Sequence, residues 1–95
     1  MNFTKRLNGT TLTVALDGRL DTNTAPAFEA FVNENLAGVD ALVLDCAALA
    51  YISSAGLRVL LSLQKKMQAM KLICVGELVM EVFEMTGFAD ILTIE

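Results

Sequence analysis

Residues 41–75 read ALVLDCAALAYISSAGLRVLLSLQKKMQAMKLICV, and this run decides the architecture. Ala41-Leu42-Val43-Leu44 is an unbroken apolar tetrad closed by Asp45. Such a tetrad predicts a strand buried on both faces, as in a sheet with a parallel centre. Cys46 to Ile52 reads as a connector. Ser53-Ser54 then opens a helix that reaches about Met70. Leu72 to Val75 is a second short apolar run and predicts another buried strand. Strand, helix and strand in this order make a crossover unit, which is expected to be right-handed.

Upstream, Asn2 to Leu7 predicts a first strand, with a turn at Asn8-Gly9, a strong hairpin signal. Thr10 to Leu16 alternates, with Leu12, Val14 and Leu16 on one face and Thr11, Thr13 and Ala15 on the other. Asp17-Gly18 marks a bend or bulge, and Arg19-Leu20-Asp21 follows. Thr22-Asn23-Thr24 and Pro26 start a helix running to about Leu36, with Phe28, Phe31, Val32 and Leu36 as its stripe. Gly38 ends it. Beyond Val75, Gly76-Glu77 opens a third short helix that stops at Thr86-Gly87, and Ile91 to Glu95 predicts a last extended segment. The expected fold is α/β, a single mixed sheet with helices packed on it, in the order β-β-α-β-α-β-α-β. No repeat or linker divides residues 1–95, so one domain is expected.

The chain has 95 residues, of which 55% are hydrophobic and 19% charged, and that balance excludes disorder. The longest apolar run, Cys46 to Ile52, is far short of the roughly 20 residues a spanning helix needs. Met1-Asn2-Phe3-Thr4-Lys5-Arg6 is followed by no apolar stretch of signal-peptide length, so a cytoplasmic location is expected, with no direct membrane insertion. The net charge is −4 and the bases are scattered. No basic stripe exists to neutralise phosphates, which argues against nucleic acid as the main partner. There is no histidine, so the usual general base and the commonest metal ligand are missing. Cys46 and Cys74 lack metal or redox spacing and read as two reduced core thiols, with a metal site or redox pair as the lesser readings. No cofactor is indicated, and no phosphate-binding glycine motif is present.

On the second helix Val59, Leu60, Leu63, Met67 and Met70 form a core stripe opposite Arg58, Ser62, Lys65 and Lys66. Leu57 and Leu61 fall on the flank, where they either pack against a neighbouring helix or face a partner. Lys65 and Lys66 suit the negative end of the helix dipole. Ser53-Ser54-Ala55-Gly56 is the most informative segment. A serine there serves as a cap. Gly56 in the first turn costs about 1 kcal/mol relative to alanine, and a residue this small leaves the helix start open to close approach by another chain. The free N–H groups of a helix start also tolerate a phosphate. An exposed serine at that point is therefore a candidate docking and phosphorylation position. Asp21 reads as a turn residue bonding its own loop, or as a carboxylate facing a basic partner. Asp45 is expected near the same sheet edge. Catalysis is rejected, because no activated base, oxyanion donor or metal partner is indicated.

Three stretches together resemble the anti-sigma factor antagonist branch of the STAS domain family: Val14 to Asp21, Asp45 through Tyr51-Ile52-Ser53-Ser54-Ala55-Gly56-Leu57-Arg58-Val59-Leu60-Leu61, and Val82 to Phe88. The resemblance covers essentially the whole chain in order. It implies a bacterial, non-enzymatic regulator of transcription that works by partner switching. The unphosphorylated antagonist binds an anti-sigma factor with serine kinase activity and so frees a sigma factor. Phosphorylation of one serine releases it, and a PP2C-type phosphatase resets it. That serine maps to Ser54, with Ser53 second; Ser53 stands where many members carry aspartate. Asp21, Ser53, Ser54, Ala55, Gly56, Leu57, Arg58 and Leu61 are the implied partner-binding residues. A second reading is a non-phosphorylated STAS adaptor in a transport or signalling complex, with Ser54 as a cap and the Leu57 and Leu61 flank as its dock.

Overall fold

The strand carrying Leu12, Val14 and Leu16 behaves as its alternation dictates, burying those residues and leaving Thr11, Thr13 and Ala15 half-buried on the opposite face. In the computed structural model, which describes residues 1–95, it is β2 (Thr11–Leu20). Its antiparallel partner is β1 (Asn2–Asn8). The connection is one residue later than the sequence suggests. Asn8 pairs with Thr11, so the loop is Gly9-Thr10. A positive φ of 62° at Gly9, the first loop position, is the type II′ pattern and needs glycine.

β3 (Ala41–Ile52) lies beside β2, and β4 (Met70–Ile73) beside β3, both in parallel. The sheet order is β1-β2-β3-β4. Two expectations are corrected here. Only one face of the parallel centre is buried: Leu42, Leu44 and Cys46 face the core while Ala41, Val43 and Asp45 are half-buried on the open side. In addition, Cys46 to Ile52 is no connector but the second half of β3. Register shifts after Ala15 and after Gly18 each insert one extra residue into β3. A bulge breaks the period of two. The buried positions consequently fall at Cys46, Leu49 and Ile52, a spacing that hides the strand from a reading by alternation.

The helices are α1 (Ala25–Asn33), α2 (Ser54–Lys66) and α3 (Glu77–Thr86). They cover the face of the sheet that carries the buried leucines. Phe28 and Val32 of α1 are fully buried, and the edge residue Phe3 meets Phe28 and Phe31 with ring centroids 5.5 and 5.4 Å away. α1 ends before Leu36, which still packs on the core from the following loop. α2 stops at Lys66, so Met67 caps it and Met70 begins β4 with its side chain in the core. Gly87 closes α3 with φ 81°, a left-handed cap. The last expected strand shrinks to one parallel bridge, Leu72 to Ile94, after a 3-10 turn at Phe88–Asp90. The observed order is therefore β-β-α-β-α-β-α. No helix is long and apolar enough to cross a membrane.

Candidate functional site

The ends of β2 and β3 meet at the start of α2. The Ser53 N–H donates to the Leu20 carbonyl at 2.9 Å, which ties the last residue of β2 to the residue that caps α2. Ser53 has extended backbone, and its Oγ accepts from the Gly56 N–H at 3.5 Å. Its carbonyl accepts the Leu57 N–H at 2.9 Å. Ser53 is thus half-buried and occupied. Ser54, the first helical residue, is exposed, and its hydroxyl makes no hydrogen bond within the chain. The N–H groups of a first helical turn have no partner within the helix.

Gly56 departs from expectation. It is buried, and a Cβ built on it would lie 2.8 Å from Ile52 Cγ1, 2.9 Å from Leu20 Cγ and 3.0 Å from the Leu20 carbonyl oxygen. The close approach that demands glycine is made by this chain's own strand ends. Leu57 is 7% exposed and belongs to the core. Gly56 and Leu57 therefore shape the surface from below and present none of it, and Leu57 packs inward rather than facing a partner. Ala55 and Leu61 are half-buried, and Arg58 is exposed one turn beyond Ser54. A groove of about 310 Å³ between the starts of α1 and α2 is lined by Thr22, Pro26, Glu29, Ala55 and Arg58.

Asp21 follows directly on Leu20, so it borders the same junction. Its Oδ1 accepts from the Asn23 N–H at 2.9 Å and the Thr24 N–H at 3.1 Å, while the Asp21 N–H donates to Thr24 Oγ1 at 2.9 Å. This reciprocal exchange closes the turn Asp21–Thr24 that leads into α1. Thr24 Oγ1 in turn donates to the Arg19 carbonyl at 2.7 Å. Burial pushes the Asp21 carboxyl up, but the bonds from Asn23 and Thr24 and the charge of Arg19 outweigh it and hold the pKa below the ordinary value. Oδ2 has no partner within the chain and leaves one acceptor for an incoming donor.

Asp45 is not part of this edge. It lies midway along β3, opposite Ala15 and Ile73, and its Oδ1 accepts from the Ala47 N–H at 3.0 Å. At about 3.3 Å per residue, the seven residues to Ile52 carry it roughly 20 Å away. In its place the double bulge sets Arg19 opposite Tyr51, and the guanidinium carbon stands 4.1 Å over the ring. Both side chains are exposed at the strand ends. Sequence reasoning misses this pair because its register depends on bulges between strands far apart in the chain. Cys74 also departs from expectation: it is exposed, with φ 58° just beyond β4, whereas Cys46 is buried. Burial, helped by the nearby Asp45 and Cys74, pushes the Cys46 thiol up to about 12.

A comparison with curated proteins finds no match in sequence. Among solved structures, an anti-sigma factor antagonist from Mycobacterium paratuberculosis superposes with a TM-score of 0.88 at 23% identity, over 98% of this chain and 83% of that one. The Bacillus cell-fate determinant SpoIIAA in its phosphorylated form gives 0.74 at 17% identity, over 99% and 91%. A serine-to-glutamate variant of RsbS from Moorella thermoacetica gives 0.79 at 19% identity, over 100% and 86%. These likenesses establish the fold. The STAS domain family model matches residues 2–95, and the chain belongs to the STAS domain family.

Proposed function

We propose that this protein is an anti-sigma factor antagonist that works by partner switching, with Ser54 as the switch. One observation carries the reading: Ser54 is exposed and unbonded at the first turn of α2, whereas the adjacent Ser53 is committed to the cap. A phosphate on Ser53 would have to replace its Oγ as acceptor of the Gly56 N–H from a half-buried position. On Ser54 it leaves the cap intact. The solved neighbours support the role, since they are described as anti-sigma factor antagonists and include SpoIIAA in unphosphorylated and phosphorylated forms.

In this reading the unphosphorylated chain docks through Asp21, Ser54, Ala55, Arg58 and Leu61 on an anti-sigma factor with serine kinase activity. The kinase supplies ATP, magnesium and the base, so the antagonist contributes only an accessible hydroxyl. Phosphorylation adds about −1.5 to −2 charges at the centre of the surface. The helix N–H groups hold that charge, so the fold stays and the docking face gains negative charge. A penalty of about 3 kcal/mol weakens binding on the order of 100-fold. A PP2C-type phosphatase restores the starting state, and the chain itself needs no enzymatic activity.

The test is affinity capture from the native cell, with and without phosphatase treatment, read by mass spectrometry. Ser54→Ala is expected to retain a serine kinase constitutively, and Ser54→Asp to lose it. Equal capture by wild type and Ser54→Asp would refute the switch. Capture of a transport complex in every state would point to an adaptor instead.

A further inference from the structure

We propose that the outer face of α3 is a second docking surface, for a basic, apolar-faced helix of a partner protein, separate from the surface around Ser54. At 100° per residue Val79 and Phe83 point inward, and both are buried. The opposite side carries two adjacent stripes. One is apolar: Leu78, 71% exposed, and Met85, 85% exposed, with half-buried Val82 between them. The other is acidic: Glu77, Glu81 and Glu84, all exposed. Single exposed apolar residues are normal on a protein surface. Two large ones, two helical turns apart on one stripe and left uncovered, make a contact surface with the i, i+4, i+7 spacing that helices recognise in one another. Methionine is also the side chain best able to adapt to a partner.

The charge identifies the occupant. From Leu72 to Glu95 the sequence contains Glu77, Glu81, Glu84, Asp90 and Glu95 and no lysine or arginine. The only ion pair in the molecule joins Lys71 to Glu95, so the α3 carboxylates are unneutralised. Two copies meeting face to face across α3 would set Glu81 and Glu84 against their own images, a like-charge contact that opposes association. A helix with leucine-like residues at the same spacing and lysine or arginine beside them satisfies both stripes. Leu78 and Met85 are about 10 Å apart along the axis, so two turns of such a helix suffice.

The test is titration of the isotope-labelled full chain with the peptide acetyl-LKKLLKLLKKLLKL-amide, followed by amide chemical shifts, with the same peptide carrying glutamate for lysine as control. Shifts are expected over Glu77–Thr86, and the acidic peptide is expected not to bind. The Leu78→Ser, Met85→Ser double variant keeps the charge and should weaken binding about tenfold or more. Glu81→Gln with Glu84→Gln should weaken it as well, and so should raising salt from about 0.1 to about 1 M, where the screening length falls from about 10 to about 3 Å. Glu34→Gln with Asp40→Asn, which removes as much charge elsewhere, should leave it unchanged. Ser54→Asp should also leave it unchanged, so this surface stands or falls independently of the switch. Shifts centred elsewhere, equal binding of both peptides, or indifference to the Leu78 and Met85 changes would overturn the proposal. Self-association in sedimentation that Met85→Ser abolishes would overturn it too, by assigning the face to a second copy.

Discussion

Replacing Gly56 by alanine places a methyl group in a space that three atoms already fill. Its carbon would stand 2.8 Å from Ile52 Cγ1, 2.9 Å from Leu20 Cγ and 3.0 Å from the Leu20 carbonyl oxygen. Neither carbon is the free end of a flexible chain, because both side chains are buried among their neighbours. The helix start must therefore lift from the strand ends. Overpacking of this kind costs about 1–3 kcal/mol. The same Leu20 oxygen accepts the Ser53 N–H, and stretching that bond adds about 0.5–1.5 kcal/mol. Alanine's better helix propensity returns about 1 kcal/mol. The expected net effect is a destabilisation of about 0.5–3.5 kcal/mol, or a Tm lower by roughly 2–28 °C for a domain of this size. Urea denaturation followed by far-UV circular dichroism measures it. In a Leu20→Ala background Cγ is gone and the added cost of Gly56→Ala should shrink, a coupling of about 1 kcal/mol. An alanine variant as stable as the wild type, or effects that simply add, would refute the close approach.

Asp21→Asn removes the charge while keeping a side-chain acceptor for Asn23 and Thr24. Because the folded carboxyl titrates below its ordinary value, its contribution is present above the unfolded pKa and is lost as pH falls through the folded one. The stability gap between wild type and Asp21→Asn should therefore be widest near neutral pH and close in acid, as urea midpoints at several pH values would reveal. For the thiols, Cys74 should react with a small disulfide reagent in the native protein near pH 8, and Cys46, buried with its pKa raised to about 12, only after unfolding. Equal native rates would refute that assignment. Phe28→Ala empties a fully buried position against the sheet and should cost about 3–5 kcal/mol, read by thermal denaturation.

What the sequence reveals of this fold follows from where a residue's environment is local. β2 is legible because its alternation is unbroken from Leu12 to Leu16 and one face is buried. α2 is legible from its capping serine and its stripe of Val59, Leu60 and Leu63. The second half of β3 is hidden because its bulges are set by pairing with β2, thirty-odd residues away in the chain. Met70 fits the α2 stripe by spacing, yet the chain turns at Met67 and delivers it to the core from β4. In the site, Ser54 and the Asp21 turn are readable because caps and turns are made by neighbours in sequence. The burial of Gly56, the inward Leu57, the Arg19 and Tyr51 stack and the removal of Asp45 all depend on how strand ends converge, which no single segment encodes.

The arrangement of charge would keep the two proposed docking surfaces distinct on one small domain. The net charge of −4 conceals a separation. α2 carries Arg58, Lys65 and Lys66 and no carboxylate, whereas everything beyond Lys71 carries carboxylates and no base. A phosphate on Ser54 would cancel about half or more of the positive charge on α2, since it brings about −1.5 to −2. Charges more than about 10 Å apart are largely screened at the surface near 0.1 M salt. The modification would therefore act chiefly on a partner that meets α2 directly. A switch built by melting a helix would disturb both faces together, because α2 and α3 bury their inner residues in one core. Charge placed on an unbonded hydroxyl above an intact cap avoids that. It follows that Ser54→Asp should leave the urea midpoint nearly unchanged while altering binding at α2. A large loss of stability in that variant would mean that release works through the fold rather than through the field at its surface.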